Sequence, residues 1–123
     1  MLKKKPLILI VEDDADIAGF YARLLKHNGY SPLVASTGAG ARILADENEP
    51  ALIAMDMDLP DCDGLSLCDE FHQKYQKPIL LIAGKPKNGG GISGRSAAGD
   101  RYTASPLNKK EILTAIRSQL RTN

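Results

Sequence analysis

Two short apolar runs in this sequence each end abruptly in acidic residues. Residues 7–14 read Leu-Ile-Leu-Ile-Val-Glu-Asp-Asp, and residues 51–60 read Ala-Leu-Ile-Ala-Met-Asp-Met-Asp-Leu-Pro. Runs of this length and composition predict buried β-strands. If the two strands are parallel neighbours, Glu12, Asp13 and Asp56 converge at one edge of a sheet. Two charges about 4 Å apart repel by about 4 kcal/mol at an effective dielectric of 20, so such a group calls for protonation or for a cation.

An oxygen-rich cluster with few protein ligands suits Mg²⁺, which keeps several waters and accepts phosphate oxygens. The sequence therefore predicts a Mg²⁺ site at this edge of the sheet. The alternative is that the acids cap helices or are simply solvated at strand ends, and for Asp14 and Asp61 we prefer that interpretation. For Asp13 and Asp56 together we prefer the metal site, because their mutual repulsion needs a reason.

Apolar periodicity predicts that strands and helices alternate along the chain. The strands are expected over residues 7–11, 31–35, 52–55, 79–83 and 101–104, and the helices over residues 15–27, 38–46, 65–75 and 108–121. This order predicts a three-layer α/β/α fold of flavodoxin-like (βα)5 type, with a parallel five-stranded sheet in the order 2-1-3-4-5. In such sheets ligands bind outside the carboxyl ends of the strands, at the switch point between the first and third strands. Those are the two strands that end in acid.

One helix that this architecture requires has weak support in the sequence. Six of the sixteen residues 84–99 are glycine, and each glycine costs a helix about 1 kcal/mol relative to alanine. We therefore expect the fourth helix, about residues 86–98, to be weak or missing. The segment is interpreted as a flexible surface loop, with a segment that orders on partner binding or a lost recognition surface as alternatives.

Length and composition limit the classes of function. We expect residues 1–123 to form one domain. The net charge of +1 gives no field that would attract nucleic acid or a membrane surface. The first apolar run ends at Val11, too early for a signal peptide or a membrane span. Cys62 and Cys68 match no metal or redox spacing, which favours reduced thiols and a cytoplasmic location.

Taken together, these motifs resemble the receiver domain of two-component response regulators and hybrid sensor kinases over nearly the whole chain. Residues 8–14 match the opening strand and acidic pair, and residues 55–64, Met-Asp-Met-Asp-Leu-Pro-Asp-Cys-Asp-Gly, match the phosphoacceptor strand and the turn after it. Residues 78–83 and 102–106 match the ends of the fourth and fifth strands. Each motif is weak alone, and their order and spacing make the resemblance specific.

The resemblance implies a role for each acidic position. Asp56 would accept a phosphoryl group from a histidine kinase or a histidine phosphotransfer protein, forming an acyl phosphate. Asp13 and Asp56 would bind Mg²⁺ directly, Glu12 would act through water, and Asp58 would contribute its backbone carbonyl. Gly64 would permit the turn into the third helix. The metal would neutralise the carboxylates and align the phosphoryl group.

The sequence departs from the family pattern at two positions. The fourth strand of a typical receiver ends in Thr or Ser, whereas this chain has Ala83, which offers no hydroxyl. The fifth strand typically ends in Lys-Pro, whereas this chain has Ser105 before its proline. Switching is therefore expected to be altered, and Tyr102, at the family's aromatic switch position, is either uncoupled or an ordinary strand aromatic. Lys85 is a candidate compensating cation, with a solvated lysine as the alternative.

Three functions are consistent with the sequence. The first is a phosphorelay signalling domain with altered switching, which would not be an enzyme beyond catalysing its own phosphotransfer. The second is a pseudo-receiver, an interaction module that phosphorylation does not control. The third is a small Mg²⁺-dependent phosphatase or phosphotransferase, for which a chain of this length leaves little room. No DNA-binding segment follows the last helix, so output is expected through a downstream protein partner, or the chain is part of a larger protein such as a hybrid kinase.

Overall fold

Between residues 7 and 82, strands and helices alternate along the chain. The computed structural model describes residues 5–82, 101–103 and 109–121. The elements are β1 (Leu7–Val11), α1 (Ala15–His27), β2 (Ser31–Ala35), α2 (Gly38–Asn48), β3 (Leu52–Asp56), α3 (Gly64–Tyr75), β4 (Ile79–Ile82), β5 (Arg101–Thr103) and α4 (Lys109–Arg121). The bounds predicted from the sequence agree with these to within two residues. Several predicted features lie outside the described residues: the weak fourth helix of about residues 86–98, and Ala83, Lys85 and Ser105.

The five strands form one parallel sheet in the order β2-β1-β3-β4-β5. This is the flavodoxin-like order that the sequence predicts. The neighbours β1 and β3 pair in register from Ile8 opposite Leu52 to Val11 opposite Met55. Both strands therefore end at the same edge of the sheet, and the residues that follow β1 lie beside the last residue of β3.

The strands β1, β3 and β4 are buried on both faces, which explains why they are apolar throughout rather than alternating. On one face, α1 and α4 cover Ile8 and Ile10 with residues that include Tyr21, Leu25, Ile112 and Ile116. On the other face, α2 and α3 cover Leu9 and Val11 with residues that include Ala41, Ala45, Leu67 and Phe71. Leu67 is buried in this second cluster, and Leu65 is half-buried and packs against it.

Local signals determine where the first helix begins and ends. The Asp14 carboxylate accepts hydrogen bonds from the backbone N–H groups of Asp16 and Ile17, at 2.9 and 3.1 Å, and so caps the start of α1. Gly29 has a φ of +91°, the left-handed conformation expected just after a helix. In the described parts of the chain, no helix is both long enough and apolar enough to cross a membrane.

Candidate metal centre

Three carboxylates lie together at the carboxyl edge of the sheet. Glu12 and Asp13 follow β1, and Asp56 is the last residue of β3. Each offers one carboxylate oxygen, and these oxygens all lie within 4.8 Å of one another. The parallel register of β1 and β3 produces this arrangement, because it brings the ends of two strands that are distant in sequence side by side.

Two of the three carboxylates are buried. Glu12 and Asp56 each expose 6% of their surface, whereas Asp13 is exposed. The Glu12 Oε2 atom accepts a hydrogen bond of 3.0 Å from the Asp14 N–H. The Asp56 Oδ1 atom accepts one of 3.3 Å from the Asp58 N–H. In each contact the donor is one backbone N–H group. One such hydrogen bond compensates only part of the free-energy cost of burying a charge.

The pKa values of both buried carboxyls respond to this environment. Burial raises the pKa of Glu12 from 4.5 to about 7, and the negative charges of Asp56 and Asp13 act in the same direction. Burial likewise raises the pKa of Asp56, with the charges of Asp13 and Asp58 adding to it. The buried Tyr21 hydroxyl on α1 also has a raised pKa, first from burial and then from the charges of Glu12 and Asp56. Glu12 and Asp56 therefore hold their protons at pH values where ordinary carboxyls have lost them.

This donor set fits a magnesium ion. Mg²⁺ is bound in proteins by one or two carboxylates and keeps several of its waters, and it does not require a full protein cage. The exposed carboxylate of Asp13 leaves the cluster open to solvent, while Glu12 and Asp56 supply buried negative charge. A divalent cation would remove the repulsion and the protonation together.

The loop after β3 contacts this cluster through the Asp58 N–H. Asp58 pairs with Asp63 in an isolated antiparallel bridge, and the Gly64 N–H donates to the Met57 carbonyl at 3.1 Å. A Cβ atom on Gly64 would lie 2.6 Å from both the Cα and the carbonyl oxygen of Met57. Glycine is therefore required here for close packing of backbone on backbone. The Asp58 residue is exposed, so its side chain need not take part in the site.

The side chains of the two acids for which we preferred a capping role cap helices. Asp14 caps its own helix, as described above. Asp61 instead reaches α2, where its Oδ1 and Oδ2 atoms accept hydrogen bonds from the N–H groups of Gly38 and Ala39 at 2.8 and 3.0 Å. No local pattern predicts this contact, because the partners are more than twenty residues apart. The sequence likewise gave no indication that Tyr21 lies near the cluster, since its helical spacing indicates only a core position.

The side chains at the predicted switch positions lie outside the described residues. They are those of Tyr102, Ala83 and Ser105, and Lys85 lies outside as well. The backbone of Tyr102 is described, and it pairs with Leu81 of β4.

Comparison with known proteins identifies related sequences and structures. The family described as response regulator receiver domain matches residues 8–117. The signal receiver domain of an HD domain-containing protein from Pseudomonas fluorescens Pf-5 is 26% identical with a TM-score of 0.82, and the match covers 97% of each chain. A putative response regulator from Chloroflexus aurantiacus J-10-fl is 27% identical with a TM-score of 0.81, and the match covers 96% of this chain and 99% of that one.

A further structure supports the fold. A response regulator receiver domain protein from Methanospirillum hungatei JF-1 is 23% identical with a TM-score of 0.82, over 97% of this chain and 96% of that chain. These matches extend over nearly the full length of both chains.

Proposed function

The chain belongs to the response regulator receiver domain family, which implies phosphorelay signalling, and on that premise we propose that Asp56 is its phosphoacceptor in a Mg²⁺-dependent reaction. The phosphoryl donor is a histidine kinase or a histidine phosphotransfer protein, and a downstream protein partner reads the result. We propose that residues 1–123 act as a single domain in the cytoplasm, without nucleic acid or membrane as a direct ligand.

One observation carries this proposal: the carboxylate oxygens of Glu12, Asp13 and Asp56 lie within 4.8 Å of one another. Such a group has no favourable state when fully ionised and without a cation, because like charges this close raise each other's pKa. The raised pKa values of Glu12 and Asp56 are consistent with that cost. A metal and an incoming phosphoryl group are the partners that this edge of the sheet best accommodates.

In the proposed reaction, an oxygen of the Asp56 carboxylate attacks the phosphorus of a phosphohistidine. A phosphorus–oxygen bond forms as the phosphorus–nitrogen bond breaks, and the electron pair remains on the imidazole nitrogen. Asp13 and Asp56 would hold Mg²⁺ directly, Glu12 would act through water, and Asp58 would supply its backbone carbonyl. When bound, the metal supplies charge neutralisation and alignment of the phosphoryl oxygens.

We further propose that switching is altered. Ala83 cannot donate a hydrogen bond to the phosphoryl group, and Ser105 carries no charge where the family pattern has a lysine. A charge-assisted contact of this kind is worth about 1.5–3 kcal/mol. Tyr102 is proposed to respond weakly, because the hydroxyl at position 83 that would draw it inward is absent. Lys85 is the candidate replacement cation, and a Lys85→Ala variant with parental phosphorylation and dephosphorylation rates would exclude it.

Intact mass spectrometry tests the central proposal. The protein is incubated with acetyl phosphate and Mg²⁺, and the expected result is a single added phosphoryl group that is absent in Asp56→Asn. Asp63→Asn is the matched control, because Asp63 is an exposed N-cap in the next loop and asparagine caps a helix equally well. It should gain the phosphoryl group like the parent. An adduct retained in Asp56→Asn would refute the assignment of Asp56.

The second candidate is a pseudo-receiver that binds its partner regardless of phosphorylation. The replacements at Ala83 and Ser105 favour it, because they remove the groups that would couple the phosphoryl to the rest of the domain. The two candidates differ in the same experiment. The absence of any adduct on the parent protein in Mg²⁺ would favour the pseudo-receiver.

A further inference from the structure

The loop between β3 and α3, residues 57–63, carries the backbone carbonyl that we propose as a metal ligand at Asp58. Contacts within the loop hold its base. The Asp58 N–H donates to Asp56, Asp58 bridges to Asp63, and the Gly64 N–H donates to Met57. The tip of the loop lies beyond these contacts, and loop tips are ordinarily mobile unless another element anchors them.

Asp61 anchors the tip of this loop to a different element. Its two carboxylate oxygens accept hydrogen bonds of 2.8 and 3.0 Å from the N–H groups of Gly38 and Ala39, in the first turn of α2. The first N–H groups of a helix have no partner within the helix, so a carboxylate in this position is favoured. The same contacts lower the pKa of Asp61, so the carboxylate is ionised when the fold is intact.

The start of α2 is shaped to receive this loop. A Cβ atom on Gly38 would lie 2.4 Å from the Cys62 Sγ atom and 3.3 Å from the Asp61 Oδ1 atom. The loop therefore packs directly against bare backbone. Ala41 and Ala45, both fully buried in the core, pack α2 against the sheet, so the loop meets a helix that is itself anchored.

We propose that Asp61 is a positioning residue for the metal centre, an inference that rests on the proposed function. It connects the first turn of α2 to the loop that follows Asp56 and carries the Asp58 carbonyl. Residues behind the direct ligands commonly change metal affinity about 10- to 100-fold when they are removed, because ligand geometry must be held closely. Asp61 acts on the Asp58 carbonyl only through the loop, so we expect a change in Mg²⁺ affinity at the lower end of that range.

Calorimetric titration of the metal-free protein with Mg²⁺ tests this role, alongside urea unfolding without metal. Asp61→Ala should raise the Mg²⁺ Kd about tenfold. Asp61→Asn should raise it less, since its side-chain oxygen still accepts one of the two N–H groups. Thr37→Ala is the matched control. Thr37 caps the same helix by accepting a 3.0 Å hydrogen bond from the Gly40 N–H, so its loss should lower stability and leave the Kd within about twofold.

A second pair of variants tests the positioning role independently. Gly38→Ala should weaken Mg²⁺ binding because its methyl group displaces Cys62, and adding Cys62→Ala should restore the affinity by removing the sulfur. If Asp61→Ala or Gly38→Ala keeps the parental Mg²⁺ Kd and only lowers the urea midpoint, the contact is purely structural. That result would overturn the positioning role and leave the proposed function standing. A parent protein that takes up no Mg²⁺ at tens of millimolar would overturn the proposed function and this role together.

Discussion

Replacing Asp56 with asparagine should stabilise the metal-free protein at alkaline pH. Asp56 and Glu12 are both 94% buried, and their oxygens lie within 4.8 Å of each other. Two charges at that separation repel by about 3.5 kcal/mol at an effective dielectric of 20. Asparagine removes one charge and keeps the shape and the acceptor oxygen. Because the exposed side of the cluster is screened by solvent, we expect a net gain in the free energy of unfolding of about 1–2 kcal/mol at pH 8.

The gain should depend on pH in a defined direction. The pKa of Glu12 is raised in the fold from 4.5 to about 7, and that of Asp56 is raised as well. A carboxyl whose pKa is raised in the fold costs no stability at pH values below its ordinary pKa. The cost grows as the pH rises from the ordinary pKa to the pKa in the folded protein. The parent should therefore lose stability between pH 4.5 and pH 7 and reach a plateau above it. Asp56→Asn should lose less as the pH rises, so the two proteins converge only near pH 3.8, the ordinary pKa of the carboxyl that the substitution removes.

Urea unfolding at pH 5 and pH 8, at constant ionic strength and with a chelator present, measures this difference. Asp63→Asn is the control, because the capping asparagine removes a charge that lies outside the carboxylate cluster. It should show no gain that depends on pH. The reasoning is refuted if Asp56→Asn is no more stable than the parent at pH 8, or if its gain is equal at the two pH values.

Three further predictions concern the metal and the backbone around it. Mg²⁺ at ten times its Kd should stabilise the parent by about 1.4 kcal/mol in urea unfolding at pH 8. Asp13→Asn should lose most of this stabilisation, and an equal stabilisation of the variant would remove Asp13 from the site. Gly64→Ala should lower the free energy of unfolding by about 3 kcal/mol, because its Cβ would meet the Met57 backbone at 2.6 Å; an unchanged urea midpoint would contradict this packing. Asp14→Ala should lower the free energy of unfolding by about 1 kcal/mol, because α1 loses its N-cap, and Asp14→Ser should recover most of that loss. Equal losses in both variants would exclude capping as the cause.

The order and bounds of the elements were predictable because their signals are local. A buried parallel strand is apolar over its whole length, and an amphipathic helix repeats every three or four residues, so β1 and α1 are evident from a dozen residues each. Parallel βαβ units then restrict the order of the strands. The acidic residues after β1 and at the end of β3 could be placed together on that basis alone.

Other features of the site depend on how the elements pack. The sequence contains Asp61 and Gly38 as separate residues, and nothing near either one indicates that they meet. Their contact arises because α2 and the loop after β3 lie on the same face of the sheet. The burial of Glu12, and the closeness of Tyr21 to the charges of Glu12 and Asp56, likewise depend on how the elements pack.

The amino-acid sequence by itself determined which residues form strands and helices, and which acids end neighbouring strands, because hydrogen bonding and burial follow short repeats along the chain. Only the tertiary structure decided which carboxylates are buried, how strongly their pKa values rise, and which distant backbone groups hold the loop beneath them. Those properties depend on distances between elements that are far apart in the chain, and residue spacing does not encode such distances.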